Sequence, residues 1–250
     1  MESIYDIAAL DRAVAGVDAV ICAYAALPEI LLEGQLLLLR AAERAGVKIF
    51  HASSWNYDWS KSPLGQHESC DTLIAFCNHV RLSSTIKPLA TITGAIAEWV
   101  FIRSPKDWDR ETKTLVYCGD PTTRIRYTTA DDLAEYSVEA VLAPNAAEGG
   151  FVRVQSFEAS PAEVVQAYEA ARGGSIKAHA KCLGSLGDAA DALAKVRATM
   201  GVQNWPQYIW YGYQINMARR IWDYEPMDCA RFPSVKQTSL KEWFEANPEV

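Results

Sequence analysis

Hydrophobic and polar positions in the first part of the chain alternate between two patterns. Residues 6–17 carry apolar side chains at helical spacing, and residues 18–24 form a continuous apolar run of strand length. The same pair recurs as a helix over 28–45, ended by Gly46, and a strand over 47–52. Because strands that are apolar on both faces are typical of parallel sheets, the pattern predicts buried parallel strands joined by helices.

The pattern continues to Trp99 and then becomes less regular. A helix over 67–83 precedes a third strand over 89–93, and a further helix is predicted from Gly94 to Trp99. The rest of the chain has two predicted strands, 114–118 and 151–155, and three predicted helices, 131–142, 161–172 and 186–200. Alternation of strands and helices, with right-handed crossovers, predicts an α/β fold whose parallel sheet is flanked by helices.

Composition and charge narrow the class of protein. Half of the 250 residues are hydrophobic and 22% are charged, which is typical of a globular enzyme with a large core. The net charge of −7 argues against a nucleic-acid partner, because phosphate binding needs concentrated Lys and Arg. No apolar run is long enough to cross a membrane, the N-terminus lacks a signal core, and the cysteines form no metal-binding pattern. We therefore expect a cytoplasmic protein that binds a small molecule, with no metal and no membrane partner.

Three stretches of the chain resemble one family of enzymes. They are residues 10–21 with 41–50, the Ala130-Asp131-Asp132-Leu133-Ala134 turn, and residues 160–164 with 240–244. In this order they are similar to the NmrA-like/isoflavone-reductase-like family of atypical short-chain dehydrogenases. The resemblance implies a reduced Rossmann-like core over 1–150 and a smaller C-terminal substrate-binding lobe over 151–250, packed as one compact unit.

The chain departs from that family at the two places where a nicotinamide cofactor would bind. No GxxGxxG loop follows a strand, although such a loop places backbone amides and a helix N-terminus against the cofactor pyrophosphate. The family's catalytic lysine corresponds to Cys77, and a thiol cannot supply a fixed positive charge. The Tyr57…Lys61 pair has YxxxK spacing but lies in a predicted loop. The resemblance thus implies an N-terminal truncation, natural or not, and no cofactor, unless the native protein has the missing half and binds NADPH.

The densest polar and aromatic cluster lies at 51–59, the carboxyl end of the second predicted strand, where open parallel sheets bind ligands. We assign four catalytic candidates here: His51 as acid/base, Asp58 as its partner, and Tyr57 and Ser54 as hydrogen-bond donors to a substrate oxygen. The candidate substrate-binding residues of this region are Ser53, Trp55, Trp59, His67 and Trp99. The alternative is structural: a core histidine, a loop-capping carboxylate and aromatic rings that roof the core.

A second aromatic stretch, 205–213, has five aromatic residues in nine. In the resembling family this region belongs to the substrate lobe, so we assign Trp205, Tyr208 and Tyr211 to a lid over the 51–59 segment. Such a lid suits an aromatic or polycyclic substrate. Core packing is the alternative for these rings.

Together these observations predict a small-molecule enzyme of secondary metabolism that performs an isomerisation, dehydration, cyclisation or ring opening without nicotinamide. Two alternatives stay open: an NAD(P)H-dependent reductase whose N-terminal half is absent from this chain, and a non-catalytic ligand or redox sensor. A homodimer is also predicted, because residues 18–24 would form an exposed strand edge that favours association.

Overall fold

The computed structural model describes residues 3–25 and 27–250. Its strands are β1 (Ala19–Ile21), β2 (Ile49–His51), β3 (Leu89–Ile92), β4 (Ala95–Ile96), β5 (Trp108–Asp109), β6 (Thr114–Tyr117), β7 (Ile125–Thr128), β8 (Gly150–Arg153), β9 (Phe157–Ala159) and β10 (His179–Cys182). Its α-helices are α1 (Ile7–Ala13), α2 (Gln35–Ala45), α3 (Glu68–Ser83), α4 (Ala130–Leu142), α5 (Pro161–Ala171), α6 (Leu186–Met200), α7 (Ile209–Ala218) and α8 (Leu240–Ala246). Two π-helical segments, Glu29–Gly34 and Trp99–Arg103, complete the regions that the site uses.

The central sheet is parallel throughout and has the order β1-β2-β3-β8. All four residues of β3 are buried, as expected for a strand covered on both faces. The helix α2 ends where Gly46 adopts a left-handed φ of 79°, a conformation that glycine takes without steric cost. The predicted α/β class, a parallel sheet flanked by helices, is therefore confirmed.

The region after β3 differs from the prediction. The helix predicted from Gly94 is wrong, because Gly94 has a φ of 69° and the chain continues as β4, which pairs with β7. A Cβ at Gly94 would lie 2.3 Å from the carbonyl oxygen of Arg126, so only glycine permits this close approach of two backbones. Helical geometry begins at Ala97 and continues as a π-helical segment from Trp99.

The strand β8 joins the parallel sheet beside β3. It begins at Gly150, so the sheet draws strands from both sides of the predicted boundary between 150 and 151. The division into core and lobe at that point stays a prediction.

Two smaller three-stranded sheets, β10-β6-β5 and β4-β7-β9, lie beyond the parallel sheet. The helices α5 and α8 contact each other, and each begins with a complete capping box, Ser160 with Glu163 and Ser239 with Glu242. Their buried rings join Phe101 in one aromatic core. The third stretch of sequence resemblance thus corresponds to the first turns of α5 and α8.

In the described ranges, no helix is long and apolar enough to cross a membrane. No group of three or more His, Cys, Asp or Glu side chains in these ranges is placed to hold a metal ion.

Candidate functional site

His51 ends β2 and its side chain is fully buried. Its Nε2 forms a hydrogen bond of 2.7 Å with the hydroxyl of Thr91, and its ring stacks on Trp55 at a centroid distance of 5.4 Å. The other nitrogen, Nδ1, has no partner in the described structure. Burial lowers the pKa of His51 to about 4, because desolvation disfavours the imidazolium.

Asp58 is also fully buried but belongs to a different network. Its carboxylate forms an ion pair with Arg153 of β8 at 3.3 Å and approaches Lys61 to 3.8 Å. His51 bonds to Thr91 and not to Asp58, so the expected acid/base pair between them does not form. The two groups lie in separate networks because Arg153 of β8 supplies the counter-charge of Asp58.

The candidate hydroxyls of the same loop are engaged by the protein backbone. Ser53 donates to the carbonyl of Tyr24, and Ser54 donates to the carbonyl of Ala52 while accepting from the amide of Thr91. The indoles are bonded too: Trp55 donates to Ser137 and Trp59 donates to the carbonyl of Ser54. In this arrangement these groups shape the loop, and their roles towards a substrate stay predictions.

The 205–213 stretch meets the loop through Tyr213. The Tyr213 ring lies 6.2 Å from the ring of Tyr57, and its hydroxyl accepts from Asn56 at 2.9 Å. Tyr208 bonds to Glu68, whereas Trp205 and Tyr211 pack against the cluster around Cys118 and Leu193. Trp99 is 60% exposed. The lid assignment of Trp205, Tyr208 and Tyr211 therefore stays a prediction. The residue of this stretch that contacts the 51–59 segment is Tyr213, which the assignment did not include.

His67 is enclosed by the aromatic rings of Tyr213 and Trp222. Its ring makes edge contacts of 4.7 Å with Tyr213 and with Trp222, and neither ring nitrogen has a partner in the described ranges. Burial lowers its pKa to about 4. A Cβ at Gly212 would lie 2.9 Å from the ring, so the glycine creates the space that the imidazole occupies.

A recess opens on the other side of Tyr57, with a cavity volume of about 60 Å³. Its lining is largely apolar or aromatic, and it includes Val100, Leu115, Tyr117, Ile125, Met217 and Ala218. Tyr57 and Tyr127 are 7% and 2% exposed, and within the described residues their hydroxyls bond to no protein group. Two buried phenols therefore face this space with their hydrogen-bonding capacity unused.

Asp107 contributes a carboxylate to the same recess. Its Oδ1 accepts from the indole of Trp210 at 2.7 Å and from Gln214 at 3.2 Å, and Gln214 in turn accepts from the amide of Cys118. Its donors in the described ranges are neutral, and burial raises the pKa of this carboxyl even though the hydrogen bonds lower it. Among the described residues, the recess thus combines a carboxylate that forms no ion pair with two phenol hydroxyls that bond to no protein group.

Solved structures with the same fold carry the names of several reductases and of a nucleoside-diphosphate-sugar epimerase. No protein-family model and no curated protein matches the sequence. An isoflavone reductase is 18% identical with a TM-score of 0.72, over 98% of this chain and 80% of that one. Leucoanthocyanidin reductase from Vitis vinifera, in a ternary complex, is 15% identical with a TM-score of 0.73, over 98% and 83%. A quinone oxidoreductase from Escherichia coli is 16% identical with a TM-score of 0.68, over 98% and 81%. The chain has the isoflavone-reductase-type fold. The resemblance seen in the sequence is confirmed at this level.

The described residues lack the features that hold a nicotinamide cofactor in the resembling family. The connections that leave the four parallel strands contain no glycine-rich phosphate loop, and Gly94 serves the β4–β7 contact instead. Cys77, at the family's lysine position, packs against the core, and burial raises its pKa to about 11. Residues 3–25 and 27–250 therefore do not by themselves form the expected cofactor site.

Sequence reasoning missed Asp107 as a site residue. It lies in the polar segment Ser104-Pro105-Lys106-Asp107, which has no periodicity and no recognisable motif. Its two side-chain donors, Trp210 and Gln214, follow about 100 residues later, so nothing local marks it. Tyr57, a candidate of the 51–59 segment, lines this recess, and its role stays a prediction.

Proposed function

We propose that this chain is a small-molecule enzyme that transfers a proton to and from a substrate bound in the recess beside Tyr57. The observation that supports it is the convergence of Asp107 with the unbonded hydroxyls of Tyr57 and Tyr127 on one largely apolar space. Ionisable groups with perturbed pKa values in a cleft are typical of functional sites.

Asp107 is the group that exchanges the proton. A carboxyl with a raised pKa is a stronger base than an ordinary aspartate, and its conjugate acid forms closer to neutral pH. Trp210 and Gln214 hold Oδ1 in place. The pKa of Tyr57 and that of Tyr127 are raised by burial, so both phenols stay protonated and can hydrogen-bond to the polar group of the substrate whose charge changes.

This chemistry fits the isomerisation and cyclisation steps of the sequence-based hypothesis better than hydride transfer by the described residues alone. In this proposal Asp107 takes the acid/base role that the sequence assigned to His51 and Asp58. His51 is buried against Trp55, and the charge of Asp58 is paired with that of Arg153. Secondary metabolism, a cytoplasmic location and a homodimer remain part of the proposal.

The test compares the parent protein with Asp107→Asn, which keeps the shape and an acceptor oxygen but removes the base. Both are incubated in D₂O, without nicotinamide, with a panel of small aromatic ketones and amines, and isomers or deuterated products are detected by mass spectrometry. We expect turnover by the parent and a loss of about 10²–10⁴-fold in the variant. Equal turnover by two folded proteins would show that Asp107 is not the base.

A second candidate is an NADPH-dependent reductase. The observation that favours it is the set of names among the fold neighbours, which include a leucoanthocyanidin reductase–NADPH complex and an NADPH complex of the quinone oxidoreductase. Titration calorimetry of the chain with NADPH separates the candidates. Without a phosphate cradle we expect no tight binding, since each charge-assisted hydrogen bond to the pyrophosphate contributes roughly 1.5–3 kcal/mol. A micromolar dissociation constant would favour the reductase.

A further inference from the structure

The recess beside Tyr57 is acidic as well as aromatic. Its lining includes two charged side chains, Asp107 and Asp120, and neither a lysine nor an arginine. Lys106, which precedes Asp107 in the chain, donates to the carbonyl of Gln207 at 2.9 Å instead. The recess therefore offers negative charge to its occupant and no positive charge.

We infer that the substrate of this recess carries a protonated primary amine on a small apolar or aromatic body, with the ammonium group held by Asp107, Tyr57 and Tyr127. The inference rests on the proposed function and specifies its substrate class.

The donors and acceptors match this class of ligand. An alkylammonium group has three N–H donors and no acceptor, while a carboxylate and two phenol oxygens offer three acceptors. Tyrosine rings also attract a cation through their negative faces, and Tyr117 adds a third ring to those of Tyr57 and Tyr127. A neutral ligand would leave the charge of Asp107 with no cation hydrogen-bonded to it in a partly desolvated space, which is unfavourable.

The size of the recess limits the ligand. A cavity of about 60 Å³ has room for roughly four to six water-sized groups, at the space that one buried water requires. That room holds the aminomethyl group and part of the ring of an amine such as benzylamine, whose remaining ring atoms would lie in the mouth. A polycyclic body, as the sequence suggested, would have to extend out through the mouth.

The same ligand gives the proposed proton transfer a defined course. The N–H bond of the ammonium breaks, its electron pair stays on nitrogen, and an O–H bond forms on Asp107. Two opposite charges become a neutral amine and a neutral acid, and a low-dielectric site favours that change relative to water. The free amine is then a nucleophile within the substrate, as a cyclisation requires.

The experiment uses three probes of similar shape: benzylamine, benzyl alcohol and benzoate. The indole N–H of Trp210 bonds to Asp107, so its nuclear magnetic resonance signal, assigned with Trp210→Phe, reports binding at this place. We expect benzylamine to bind about tenfold or more tightly than benzyl alcohol, and benzoate not to bind, because a charge-assisted hydrogen bond is roughly twice as strong as a neutral one.

Asp107→Asn should abolish the preference for benzylamine over benzyl alcohol. The control is Asp191→Asn, which removes the same charge from an exposed position on α6 and should leave the preference unchanged. Should the Asp107 variant not fold, Tyr127→Phe takes its place and should weaken benzylamine binding.

Each outcome has a distinct meaning. Equal or tighter binding of benzyl alcohol at the Trp210 signal overturns the amine inference and leaves the proposed function standing. No response to any probe at millimolar concentration overturns both, since the recess would then not be a binding site. Amine binding without turnover of any amine keeps the inference and contradicts the proposed enzyme.

Discussion

Two regions meet at Tyr57 and differ in how their polar groups are used. On one side His67, Tyr213 and Trp222 form a closed aromatic cluster, and His51 is buried separately against Trp55. On the other side is the recess, where phenol hydroxyls and a carboxylate face a cavity. The difference shows that the packing around a polar residue decides whether its polar atoms reach a cavity.

Burial also shifts the pKa values of the histidines and of Asp107 in opposite directions. Burial lowers the pKa of both histidines to about 4, so these rings are neutral near pH 7 and cannot share protons there. Burial raises the pKa of Asp107, which brings that carboxyl towards neutral pH and makes it a better proton acceptor. The same physical cause thus removes acid/base capacity from one region and adds it to the other.

The largest expected effect is a loss of stability in acid, which comes from the two buried histidines. The folded-state pKa of His51 and that of His67, about 4, lie below the ordinary value of 6.5, so between these values the unfolded chain binds more protons. The free energy of unfolding should therefore fall as the pH drops from about 6.5 to about 4, by at most roughly 3 kcal/mol per histidine. Urea unfolding across this range measures it.

The matched variants are His67→Gln and His79→Gln, of which only the first removes a buried imidazole, since His79 is exposed on α3. The acid slope should become shallower in His67→Gln and stay unchanged in His79→Gln. An unchanged slope in both variants contradicts the buried neutral state of His67.

An intermediate effect is expected for Gly212→Ala. The added methyl group would lie 2.9 Å from the ring of His67, which is held between Tyr213 and Trp222 and has little room to shift. Overpacking of this kind costs about 1–3 kcal/mol. Thermal unfolding measures it, with Gly187→Ala on α6 as control, because the nearest contact there is 3.4 Å. A variant as stable as its parent would mean that the His67 ring can shift away from position 212 at little cost.

The smallest effect is expected from two variants that each remove one phenol hydroxyl, one in the aromatic cluster and one in the recess. Tyr213→Phe loses its bonds with Asn56 and Ser69 and should cost about 1 kcal/mol of unfolding free energy. Tyr127→Phe loses a hydroxyl without a protein partner and should change stability by less than about 0.5 kcal/mol. Equal costs for the two variants in denaturant unfolding would remove the distinction between a closed cluster and a recess.

Local features of the sequence determined most of the secondary structure. The strand predicted over 89–93 became β3, which is buried on both faces, and Gly46 ended α2 in a left-handed conformation. The capping box of Ser160 and Glu163 started α5 at Pro161. These signals could be read in advance because each acts between residues fewer than five positions apart, as helix caps and strand patterns do.

The tertiary structure decided which polar residues face a cavity. Tyr57 stood out in the sequence, but only the packing of Tyr213 and Trp222 against one side of it directs attention to the other side. Asp107 gains its setting from Trp210 and Gln214, about 100 residues away. Burial, desolvation and the lack of a counter-charge are properties of such distant contacts, so no local pattern could have predicted them.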